Sequence, residues 1–190
     1  MKPSTADFPR PANYLHSLNF IAMAAQYYVL GRLALTHKMH DVAPWILHMA
    51  VEYFIKSGLV MYLDVKALGQ KPYVHDLGRL WADFRANYNL PSSKDLQLFS
   101  DCIQSLQKFY VTRYPDGRPD SFLVSINLPA DPLISTEASF RLDTFQLDRL
   151  VLLILENVPN SGAASYFGKY AEALALVDPP FLDGSLKNKL

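Results

Sequence analysis

Three residues with acid–base and ligand chemistry recur one helical turn apart inside an otherwise apolar segment: His48, Glu52 and Lys56. Their spacing of four places them in one polar stripe on a helix. Glu52 precedes Lys56, the order that favours an ion pair along a helix. Such a stripe on an apolar helix must either reach water or meet polar partners. It is therefore either a solvated edge or the wall of a polar pocket.

A second feature converges on the same chemistry. The row Leu96, Phe99, Ile103, Leu106, Tyr110 has helical spacing, and the same spacing leads on to Arg113. A cation at the end of a core-facing row can serve the helix C-terminus. It can also grip a carboxylate or phosphate through its guanidinium fork. His75-Asp76 opens a further helix, where Asp76 suits the positive end and His75 either caps locally or is presented beside Arg113. The candidate ligand-binding residues are Glu52, Lys56, His75, Tyr110 and Arg113, with no catalytic residue assigned.

Other chemistry finds little footing. His37 and His40 sit at a helix end with no third ligand in view, so no metal site and no cofactor are expected. Nucleotide-binding glycine loops, zinc motifs and the nucleophile elbow are absent. Cys102 is the only cysteine, so no internal disulfide forms; among Phe99, Ile103 and Leu106 it reads as a buried, inert thiol.

The elements that must position these residues are helices. Asn13 caps a helix to about His37, with the stripe Leu15, Leu18, Ala22, Ala25, Val29 and Leu33. Asp41 precedes a second helix, with Pro44 in its first turn, running to about Leu68 and ending at Gly69. It is apolar on nearly every side, which predicts a central place in a bundle. A third helix is expected from about His75 to Tyr88, and a fourth from about Lys94, capped by Ser92 or Ser93, to Thr112. Residues 115–119 read as a loop, and 122–128 as a short extended segment. Residues 129–142 read as loop, and helix resumes from Asp143 or Thr144 to Asn157 and from about Ala163 to Leu176. The prediction is an all-α, antiparallel up-down helix bundle in a single domain over 1–190. Residues 1–12 form an irregular lead.

Composition narrows the function classes. Half the 190 residues are hydrophobic and 19% are charged, which fits a globular chain and excludes disorder. Lys plus Arg equals Asp plus Glu at 18 each. Binders of long nucleic acid usually carry a basic surplus, so a small ligand or a protein partner is the expectation. Pro11 to Gly31 lacks charged residues, but Asn13, His16, Ser17, Asn19 and Gln26 are costly in hydrocarbon, which predicts a buried helix and no membrane span. Residues 1–11 are polar and proline-rich, without the apolar segment of a signal peptide, and predict a cytoplasmic protein.

Three patches, in order, resemble the HEPN (higher eukaryotes and prokaryotes nucleotide-binding) family. They are Ala50-Val51-Glu52-Tyr53-Phe54-Ile55-Lys56-Ser57, then Lys71-Pro72-Tyr73-Val74-His75-Asp76-Leu77, then Phe109-Tyr110-Val111-Thr112-Arg113-Tyr114-Pro115. They fall within residues 45–116, leaving 120–190 as a C-terminal helical extension outside the resemblance. The family implies a helical bundle, often a homodimer. Its members include nucleotide-associated proteins, toxin components of toxin-antitoxin pairs whose partner is a nucleotidyltransferase, and ribonucleases. The ribonuclease branch carries an Arg followed after four to six residues by a His, late in the domain. Here Arg113 has no histidine after it, and the pairs Arg10–His16 and Arg32–His37 lie too early. The resemblance thus implies a non-catalytic module binding a nucleotide, another phosphate-bearing ligand or a partner protein. Two alternatives stay open. One is a metal-independent ribonuclease or toxin component using Arg32 with His37, or the His75 site. The other is a purely structural interaction domain with Glu52 and Arg113 paired inside the bundle.

Overall fold

The computed structural model describes residues 11–90, 94–111, 124–126, 140–159 and 163–177. These residues are predominantly helical. The helices are α1 (Pro11–Thr36), α2 (Ala43–Leu59), α3 (Val65–Leu68), α4 (Leu77–Asn87), α5 (Lys94–Val111), α6 (Thr144–Asn157), α7 (Ala163–Gly168) and α8 (Ala171–Ala175). Strands β1 (Val124–Ile126) and β2 (Phe140–Leu142) form a short parallel pair, with Val124 opposite Phe140 and Ile126 opposite Leu142. The all-α expectation holds apart from this pair. Phe140–Leu142 is extended where the sequence suggests loop.

Helix α2 is central, as its apolar surface demands. It packs against α1, α4, α5 and α6. All but Trp45, Met49 and Tyr53 of its residues are buried, and those three share one face at spacings of four. Two glycines let its neighbours approach. A Cβ on Gly31 of α1 would lie 2.6 Å from Leu47 Cγ, and one on Gly58 would lie 2.5 Å from the Phe84 ring of α4. The core continues through Ile21, Tyr28, Phe54, Leu80, Phe84, Ile103, Leu106, Leu147, Ile154 and Phe167.

Several boundaries differ from the sequence reading for local reasons. The predicted helix from 43 to 68 divides at residues 60–64, because the Asp64 carboxylate accepts from Lys66 N–H and starts α3 afresh, with Gly69 as its C-cap. Val42, not Asp41, is the N-cap of α2, and it offers no side-chain cap. Asp76 caps α4 by accepting from Arg79 N–H, so His75 stands one residue outside the helix. Asp143 caps α6 in the same way through Gln146 N–H. The last predicted helix divides into α7 and α8. The buried face of α1 is Ser17, Ile21, Ala24, Ala25, Tyr28, Val29 and Arg32, whereas Leu15, chosen from the apolar spacing, is 61% exposed. With apolar residues all round α1, spacing alone does not single out the face. Residues 1–10, the caps Ser92 and Ser93, the loop 115–119 and the tail beyond 177 lie outside the described residues.

Candidate functional site

The polar stripe of α2 does not face water. His48, Glu52 and Lys56 are all buried, at 0%, 1% and 4% exposure. The solvated-edge reading is thereby excluded, and the stripe forms the inner wall of a polar cluster. Its centre is the Glu52 carboxylate. Lys56 Nζ donates to Oε1 at 2.6 Å. His75 Nδ1 lies 3.0 Å from Oε2, and His75 N–H reaches Oε1 at 3.5 Å. His48 Nε2 stands 3.6 Å from Oε2, an ion-pair distance rather than a hydrogen bond. Burial alone would push the Glu52 carboxyl up; the contacts from His48, Lys56 and His75 outweigh it and hold the group at about 2. Glu52 is therefore a buried carboxylate anion at neutral pH.

Each element contributes by its local chemistry. Helix α2 supplies three side chains on one rigid face. Helix α5 supplies Tyr110, whose ring packs on both histidines, 4.6 Å from His48 and 4.8 Å from His75 between centroids. Helix α5 also fixes the segment before α4. Gln107 Nε2 donates to the His75 carbonyl at 3.1 Å, and Leu77 N–H donates to Gln107 Oε1 at 2.8 Å. This clamp and the Glu52 carboxylate hold His75 in a left-handed backbone conformation, φ 60°. That conformation is uncommon outside glycine, though histidine is enriched in it. The His75 side chain remains 34% exposed. The cluster thus runs from a sealed floor at His48 to a mouth at His75.

Four of the five expected site residues, Glu52, Lys56, His75 and Tyr110, come together as the sequence suggests. Arg113 lies outside the described residues. His48 completes the set; its membership in the same stripe, at a spacing of four, was the available signal. Gln107 was not foreseen, since an amide that clamps backbone across two elements leaves no pattern in sequence. His48, Glu52 and His75 bring three metal-ligating atoms within 4.8 Å of one another, a grouping the sequence does not reveal because His75 follows 23 residues after Glu52.

The other candidates resolve differently. Arg32 is 0% exposed and donates to Tyr28 Oη at 2.7 Å and to the Asp148 carboxylate of α6. It is enclosed, while His37 is exposed and turned to the Leu33 carbonyl at 2.8 Å. The pair does not make a shared site. Cys102 is buried, and burial, reinforced by Asp143 and Asp148, pushes its thiol up to about 12, which makes it inert at neutral pH. A cleft beside it, lined by Asp101, Ser105, Arg141 and Asp143, lies apart from the Glu52 cluster. No described helix is long and apolar enough to cross a membrane.

Known proteins supply no further guide. No family model, curated protein or solved structure matches the chain.

Proposed function

We propose that the chain is a binding module of HEPN-like, up-down helical type that takes a nucleotide or another small phosphate-bearing ligand at the His75 mouth of the Glu52 cluster. One observation carries this reading. His75 is partly exposed, yet its ring is fixed by Glu52 on one edge and by Tyr110 on one face. A side chain so constrained offers its outer nitrogen, Nε2, in a preset direction, which limits the entropy lost on binding. When both ring nitrogens carry protons, Nδ1 donates to Glu52 and Nε2 is left to donate to an anion. The positive end of α4, two residues further on, favours the same charge. Arg113, at the continuation of the Tyr110 row, is the further cation this reading assigns. The exposed Leu15, Met23 and Leu30 of α1 fit a homodimer or a protein partner, such as a nucleotidyltransferase.

Calorimetric titration with a panel of nucleotides tests the reading. Wild-type protein is expected to bind at least one, and His75→Ala and Arg113→Ala to weaken it. Absence of any binding tighter than about 1 mM would sink the proposal.

The Glu52–His75 contact favours a second reading. A carboxylate that orients an imidazole by its inner nitrogen leaves the outer nitrogen available as a general base. In this reading the chain cleaves RNA without metal, through His75 rather than Arg32 and His37. Purified protein that leaves RNA intact beside an active control removes it.

A further inference from the structure

The floor of the cluster holds a buried nitrogen without a hydrogen-bond partner among the described residues. His48 Nδ1 lies 3.2 Å from the Leu106 carbonyl oxygen. A carbonyl only accepts, so Nδ1 carries a proton there, and Nε2 is the ring nitrogen left to turn inward. That nitrogen is fully buried and has no hydrogen-bond partner among the described residues. It faces Glu52 Oε2 at 3.6 Å, beyond hydrogen-bond length, in a buried setting. A positive species between them satisfies both atoms, either a proton on Nε2 or a metal ion.

We propose that His48 Nε2, Glu52 Oε2 and His75 Nδ1 form a site for one divalent transition-metal ion, with zinc the best match to two imidazoles and a carboxylate. With bonds of about 2.0–2.1 Å, tetrahedral donors lie about 3.4 Å apart. The two distances to Oε2, 3.6 Å from His48 and 3.0 Å from His75, bracket that edge. The three atoms all fall within 4.8 Å of one another. Two donors come from one turn of the central helix, and the third from a segment clamped by Gln107. The surroundings match what metal ligands require. The far nitrogen of His48 is bonded to a backbone carbonyl, and the far oxygen of Glu52 is bonded to Lys56. Three protein ligands leave a fourth position on the His75 side, where the site is open, for water or a ligand oxygen. A metal would take the Nδ1 lone pair that the phosphate-ligand reading protonates, so the two readings describe different states of one cluster, and either can fail alone.

The test uses the full chain stripped of metal by chelator, titrated with zinc by calorimetry and with cobalt by visible absorption. One zinc per chain is expected, with tetrahedral cobalt bands. His48→Ala and Glu52→Gln should weaken zinc by at least about 100-fold, and His75→Ala by at least about 10-fold. The double variant His37→Ala/His40→Ala should bind as wild type does. Circular dichroism checks that each variant is folded. If the two buried variants are not, the partly exposed His75→Ala carries the test. No bound metal in wild type overturns the proposal, as does zinc affinity unchanged by His75→Ala or lost with the His37/His40 pair.

Discussion

Among the described residues, charge is buried in two places. In one, Arg32 of α1 meets Tyr28 and Asp148, the last from α6, with 0–3% exposure throughout. In the other, Glu52 of α2 meets Lys56, His48 and His75, and the cluster opens to solvent at His75. Both involve the same physics, since an ion removed from water must find partners or be expelled. Their architecture differs. The Arg32 cluster joins α1 to α6, 116 residues apart in sequence, and is closed to solvent; it is a staple. The Glu52 cluster has a partly exposed, rigidly held imidazole at one end and a buried ring nitrogen without a hydrogen-bond partner among the described residues at the other. A buried ionic group that merely fastens helices has no need of either.

Breaking the staple should cost the most stability. Asp148→Ala leaves Arg32 enclosed without its anion and is expected to lower unfolding free energy by about 3–5 kcal/mol in denaturant titrations, with zinc and nucleotide binding unchanged below the transition. Glu52→Gln removes the charge at the centre of the other cluster and strands Lys56. A loss of about 3 kcal/mol is expected, and here binding should vanish too. A loss of stability with binding intact would merge the two clusters into one class. Gly31→Ala points its new methyl at Leu47 and Ile46 rather than at a charged partner. It forces a methyl group against Leu47 and should cost about 1–3 kcal/mol, which calibrates plain packing against charge burial. His75→Ala is expected to cost only about 1 kcal/mol while weakening ligand binding, the signature of a residue kept for function.

Acid sharpens the contrast further. The Glu52 carboxyl titrates at about 2 in the folded chain, below its ordinary 4.5. A depressed carboxyl contributes its stability above the unfolded value and loses it as pH falls through the folded one. In metal-free protein that contribution is complete above pH 4.5 and disappears toward pH 2. Glu52→Gln should show a shallower decline across that window in thermal melts.

The sequence discloses the helices well where one face differs from the rest. The α5 row of Leu96, Phe99, Ile103 and Leu106 is buried as its spacing predicts. It discloses α1 poorly in orientation, because nearly every face of that helix is apolar and Arg32 is drawn inward by an aspartate 116 residues away. The division between α2 and α3 turns on Asp64 capping its own new helix, a local choice that the apolar run disguises. At the site, the stripe at a spacing of four brings out Glu52 and Lys56, and reveals that the central helix carries charge. It does not disclose burial. Whether the stripe meets water depends on Tyr110 and on the Gln107 clamp, both set by how α5 lies across α2 and the start of α4. Tertiary contacts of that kind leave no periodicity to read.

The central claim is that the Glu52 cluster is a ligand site and the rest of the buried charge is scaffold. The chain has five histidines, and two of them, His48 and His75, belong to the cluster. Nuclear magnetic resonance of the ring nitrogens, recorded while ADP is added to metal-free protein, therefore reads the claim residue by residue. A saturable shift is expected at His75, a smaller one at His48 transmitted through Glu52 and Tyr110, and none at His16, His37 or His40. Shifts confined to those three, or no shift at any histidine, would contradict it.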